Sequence, residues 1–160
     1  MHLSRFLQFV ILFGTGSFAP LLISCGDDQI DVPDTPLAGK IAGSDWEYKF
    51  GSASVFSSDG NYRYLLLSTQ EVGDDPCPIV STSKPHLEMI LPLAIESYSL
   101  PLFGNNSVKF VFGNGTVLSA SAGFLEIIAI DPDSRQILGY LKADFDDDNA
   151  VLGTFIVEIC

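Results

Sequence analysis

Three thiols, a solitary histidine in the body of the chain and a run of alternating aspartates are the side chains whose types and spacing could do chemistry. The thiols are Cys25, Cys77 and Cys160. A deprotonated cysteine is the strongest nucleophile among ordinary side chains, so each could take an acyl or alkyl group or pair with another thiol. His86 follows Pro85; a Ser-His-Asp system would need it as the base, yet the sequence holds no Gly-x-Ser-x-Gly nucleophile turn. One histidine with Cys77 and Cys160 also falls short of a zinc ligand set. Asp144, Asp146 and Asp148 put carboxylates at alternate positions, an arrangement that can converge on calcium. Against that reading, Asn149 stands where a calcium loop has its glycine and Phe155 where it has its last glutamate, so the aspartates read equally well as a strand end running into a polar turn. Glu88, Glu96 and Glu126 would make a glycosidase pair only at a defined carboxyl separation. On strands, such charges normally form the solvated face. Trp46, Tyr48, Tyr62, Tyr64 and Tyr98 could line a sugar- or lipid-binding cleft or pack into a core.

The elements that must position these residues begin with a leader. Arg5 precedes an apolar run from Phe6 to Phe13, a Gly/Thr/Ser break and a second apolar stretch from Phe18 to Ile23. That is the basic-then-apolar layout of a signal peptide, with an uninterrupted apolar stretch shorter than the ~20 residues of a spanning helix. Leu22-Ile23-Ser24-Cys25-Gly26 resembles the lipobox of bacterial lipoproteins, with Leu three before the Cys, a small residue directly before it and Gly after it. The resemblance implies cleavage before Cys25 and a diacylglycerol thioether on its sulfur. Each buried acyl CH₂ contributes about 0.8 kcal/mol, so two or three chains hold a protein on a bilayer where one would not. An ordinary signal peptide with an incidental cysteine is the alternative. Asp27 and Asp28 are similar to the short acidic signal that carries Bacteroidota-type lipoproteins to the outer face of the outer membrane. With Pro33 and Pro36 they also suit a solvated, extended tether. The expected organisation is a signal peptide over 1–24, a lipidated tether over 25–37 and one β domain over 38–160.

Twenty acidic residues against eight basic ones give a formal charge of −12, and loss of Arg5 with the leader makes it more negative. Nucleic-acid binding, which needs Lys/Arg patches, is disfavoured. So is electrostatic attachment to anionic lipid, which leaves acyl chains as the membrane contact. An exported chain meets an oxidising compartment. With Cys25 acylated, Cys77 and Cys160 remain to form one bridge across more than eighty residues, for which loop entropy gives about 4 to 5 kcal/mol. Such a bridge would tie down the apolar alternation that runs to Ile159 and staple the breaker-rich loop around Asp74-Asp75-Pro76.

The body has period two. Trp46 to Phe50 alternates aromatic with charged residues, behind a short strand and tight turn from Gly39 to Asp45. Tyr62 to Thr69 is apolar on both faces around Leu65, Leu66 and Leu67, as a central strand would be. Leu87 to Leu93, Val108 to Phe112, Thr116 to Ser121 and Phe124 to Ile130 follow, separated by Gly, Pro, Asn and Ser clusters. Ile137, Gly139, Leu141, Ala143 and Phe145 share one face, Asp146 to Asn149 forms a turn, and Val151, Gly153, Phe155, Val157 and Ile159 share the face of the return strand. About eight strands in an antiparallel sandwich or barrel are predicted.

Gly123 to Ile127, Ile137 to Leu141 and Val151 to Phe155, with Gly39 to Gly43 and Trp46, resemble small β-rich lipoproteins of Bacteroidota that have no assigned function. With the lipobox-like segment, the resemblance implies a lipid-anchored envelope protein at the outer membrane, facing either the cell surface or the periplasm. Its β domain is expected to bind a protein or glycan ligand without catalysis and without a cofactor. A hydrolase of envelope or dietary polymers and a purely structural envelope component are the alternatives. A cleft gathering His86 with acidic groups would favour the enzyme, and an apolar or aromatic groove the binding module.

Overall fold

Residues that alternate apolar and polar can bury one face of a strand and leave the other wet, and the last third of this chain does so over two long segments. The computed structural model describes residues 35–58, 60–73, 77, 81, 83–101 and 107–160. The expected leader, Cys25 and most of the tether lie outside them, as does Asp74-Asp75-Pro76.

The described chain is all-β. In order it forms β1 (Ala38–Ile41), β2 (Ser44–Glu47), β3 (Phe50–Val55), β4 (Tyr62–Ser68), β5 (His86–Pro92), β6 (Ser97–Leu100), β7 (Val108–Val111), β8 (Val117–Ser119), β9 (Ala122–Asp131), β10 (Gln136–Asp146) and β11 (Asn149–Ile159). The strands lie in one sheet of order β6-β9-β10-β11-β3-β4-β5-β7-β8, with β1 on β11 and β2 on β1, curled into a half-barrel.

Two features correct the expectation. The described residues form eleven strands rather than about eight. The run from Trp46 to Phe50 is not one strand: after Glu47 the Tyr48 N–H donates to Leu37 O and the Lys49 N–H to Ser68 O. The chain thus leaves β1 and joins β4 in two residues. Ser97 to Leu100, inside a stretch read as a connection, pairs with β9. Second, the sheet is mixed, because β3 runs parallel to β11 through Ser52↔Glu158 and Ala53↔Ile159. Parallel pairing needs a long crossover, and the whole excursion from β4 to β10 supplies it.

β11 is the hub. One flank carries β10 over its full length. The other is shared, with β1 at Ala150–Leu152 and β3 at Glu158–Ile159. Between them the Thr154 N–H donates to Thr35 O and the Leu37 N–H to Thr154 O, both at 2.8 Å. Thr35 to Leu37, expected as the end of a tether, are thus tied to β11, and Leu37 is buried in the core. Gly153 permits this: its φ is +138°, and a Cβ there would meet the carbonyls of Thr35 and Pro36.

The concave face packs Leu65 and Leu67 of β4, Leu87 and Met89 of β5, Leu125 and Ile127 of β9, Leu141 of β10 and Phe155 and Val157 of β11. Gly139 faces Phe155 in the β10–β11 register, and the Phe155 ring fills the space a Cβ would take. Phe145 corrects the expected core: the register shifts between Asp144 and Asp146, the inward alternation breaks there, and Phe145 is 41% exposed.

Candidate functional site

Because residues alternate along β9, β10 and β11, Ile127, Leu141 and Phe155 point into the core while their neighbours face outward. On a wet face those neighbours should be polar, yet they include Ile128, Leu138 and Ile156. They form the floor of a groove of about 470 Å³, with Phe155 at its base and Pro36, Tyr48 and Thr154 as its walls. The walls come from the strand switches described above. Pro36 is placed by the bonds of Thr35 and Leu37 to Thr154, and Tyr48 lies where the chain passes from β2 to β3.

The two hydroxyls of this lining are both engaged within the protein. The Tyr48 hydroxyl donates to the Ile156 carbonyl, and the Thr154 Oγ1 donates to the Thr35 carbonyl at 3.0 Å. Burial pushes the Tyr48 phenol well above its ordinary range, against the carbonyl bond that lowers it, and the charge of Glu158 adds to the rise. Tyr48 is therefore a neutral, fixed donor. The lining carries no ionisable group other than this phenol, so the groove offers a ligand apolar contact and shape.

His86 is brought together with Glu88, one of the acidic residues singled out. Its Nε2 lies 3.1 Å from Glu88 Oε1 and its Nδ1 2.9 Å from the Lys84 carbonyl. The Tyr64 phenol bonds to Glu88 from β4, and burial, then Glu88, raises its pKa. Both ring nitrogens face acceptors, and His86 is only 1% exposed. A general base needs a nitrogen free to reach a substrate proton. Here the ring instead fixes the start of β5, next to Pro85, whose carbonyl accepts the Trp46 Nε1–H at 3.0 Å. Trp46 itself is core.

Asp144, Asp146 and Asp148 are not gathered. Among the described residues no group of three or more His, Cys, Asp or Glu is placed to hold a metal ion. Asp146 Oδ1 accepts the Asp148 N–H at 3.1 Å and the Asn149 Nδ2–H at 2.7 Å, while Asn149 Oδ1 accepts the Ala42 N–H at 2.9 Å. These side chains join two hairpin turns. Cys77 and Cys160 come together in the geometry of a disulfide, with Cα atoms 5.7 Å apart. Cys25 lies outside the described residues.

Sequence reasoning missed the groove. A signal was present, since Leu138, Leu152 and Ile156 make β10 and β11 apolar on both faces, which a strand with one wet face does not need. Compared with known proteins, the chain matches no family model, and neither a curated protein nor a solved structure matches it.

Proposed function

We propose that this chain is a lipid-anchored envelope protein whose β domain holds an apolar ligand in the outer groove without turning it over. The observation that carries the reading is the groove itself, an apolar trough of about 470 Å³ whose hydroxyls are engaged internally. Its size falls in the range of small-molecule sites. A glycan needs convergent donors and acceptors, and a hydrocarbon chain needs none, so a hydrocarbon chain is the ligand class that fits. The lipobox-like Leu22-Ile23-Ser24-Cys25 supports the anchor, and Asp27 and Asp28 support an outer-membrane, surface-facing address.

Titration of the full protein with a fluorescent alkyl-chain probe tests the groove. Saturable binding is expected, and Ile156→Asp or Leu138→Asp should abolish it while leaving the melting temperature near that of the parent. Equal probe binding by parent and both variants would refute the site. For the anchor, Cys25→Ala should abolish incorporation of a fatty-acid analogue and leave an uncleaved precursor; label retained by that variant would refute it.

A further inference from the structure

On the outward face of β9, β10 and β11 the strand pairing sets side chains in rows. Leu138 stands opposite Ile156, and Ile128 bulges between the partners of Leu138 and Gly139. In the next row Tyr140 pairs with Thr154 on one side and with Glu126 on the other, and Pro36 is bridged to Thr154. The groove draws its lining from the first row and from the Thr154 end of the second. Glu126 closes the opposite end of that second row, two residues and about 7 Å along β9 from Ile128.

Glu126 is not a solvated charge. Its Oε2 is buried and finds no hydrogen-bond partner among the described residues. A buried acceptor left unpartnered costs free energy, and such an atom calls for a donor from outside the chain. The other charges of this face are placed differently. Glu158, two residues beyond Ile156, has its Oε1 bonded by the Gln136 Nε2–H at 2.8 Å. Lys142 is the one Lys or Arg of β9, β10 and β11. It is exposed and sits one row further out, opposite Phe124 and Leu152. Tyr140 lies between it and Leu138 along β10, and the Tyr140 ring stacks on Phe124 with centroids 5.4 Å apart. The apolar floor thus leads toward a carboxylate, with the one cation of these strands beyond an aromatic pair.

We propose that the groove selects an alkyl chain headed by a primary ammonium, whose N–H groups bond to the Glu126 carboxylate while the chain lies over Ile128, Leu138 and Ile156. The inference rests on the reading that the groove holds a hydrocarbon chain, and it names the head group. An alkylamine is an ammonium near neutral pH, as lysine is, and a charge-assisted bond to the carboxylate is the strong kind. A fatty acid would bring a second carboxylate beside Glu126, and like charges disfavour each other there.

Competition against the fluorescent alkyl probe at pH 7 tests this on the full protein, with decylamine, decanoate and decyltrimethylammonium as competitors. Decylamine should bind more tightly than decanoate by about tenfold. Glu126→Gln should remove that preference, whereas Asp147→Asn, which deletes an exposed charge of the β10–β11 turn, should keep it. Decyltrimethylammonium has the charge without an N–H and should bind more weakly than decylamine. Decanoate binding as tightly as decylamine to the parent would overturn the inference and leave the groove standing, whether or not Glu126→Gln folds. An equal loss of preference in Asp147→Asn would assign it to overall charge, and decyltrimethylammonium matching decylamine would remove the hydrogen bond; either result overturns the inference. If the alkyl probe itself does not bind, the groove reading fails, and the inference with it.

Discussion

Phe155 and Gly139 act as one unit across two strands. The ring occupies the place of the missing side chain, so the pair packs like an aromatic over a glycine notch. Any larger residue at 139 must push a buried ring. Gly139→Val should destabilise the protein by about 1 to 3 kcal/mol, the usual cost of overpacking, read as a lower urea midpoint with unchanged slope. Tyr48 and Tyr64 make a second residue-level case. Both phenols are held above the ordinary tyrosine range by burial, with Glu88 adding to the rise at Tyr64. Unfolded tyrosines ionise near a pKa of about 10, so the unfolded state loses protons that the folded state retains. The stability these two groups contribute is complete below that value and declines as pH rises from it toward their folded pKa values. Urea midpoints should therefore fall between about pH 9 and 11, and Tyr48→Phe should lessen the fall. An unchanged pH dependence in that variant would remove Tyr48 as a source.

At the scale of elements, β10 and β11 were legible from sequence because eleven residues each of period-two alternation leave little room for another reading. Other features were hidden for physical reasons. The parallel seam between β3 and β11 joins residues about a hundred positions apart, and alternation does not name a strand's partner. β1, β2 and β6 have four residues each, too few for a period to show. Phe145 was misplaced because a bulge shifts the alternation without altering composition. The pairing of Cys77 with Cys160 was legible from the sequence only once Cys25 was set aside as the lipobox cysteine. It ties the end of β11, where the Cys160 N–H donates to Ala53 O at 2.9 Å and the Ile159 N–H to Arg135 O at 2.7 Å, to the loop that follows β4. A bridge spanning 83 residues removes chain entropy from the unfolded state, and Cys77→Ser/Cys160→Ser should cost about 2 to 5 kcal/mol. Non-reducing mass spectrometry of the native protein should find the two peptides linked; two free thiols there would refute the bridge.

For the whole molecule, the −12 charge of the chain opposes anionic surfaces, so the attachment proposed above would rest on lipid at Cys25. If Asp27 and Asp28 direct the protein to the cell surface, protease added to intact cells should remove the β domain. Cleavage only after lysis would place it facing the periplasm. The position of β11 in the sheet also bears on the order of assembly. It is the last strand in the chain, yet it pairs with β1, β3 and β10 and contributes Phe155 and Val157 to the core. A polypeptide emerging from a ribosome or threading through a translocation pore cannot close this barrel half until that strand has followed. The early strands must wait as an open, pairing-competent intermediate, and contacts so distant in sequence form slowly. A fold that closes only when β11 is made leaves β1, β3 and β10 without their shared partner until then.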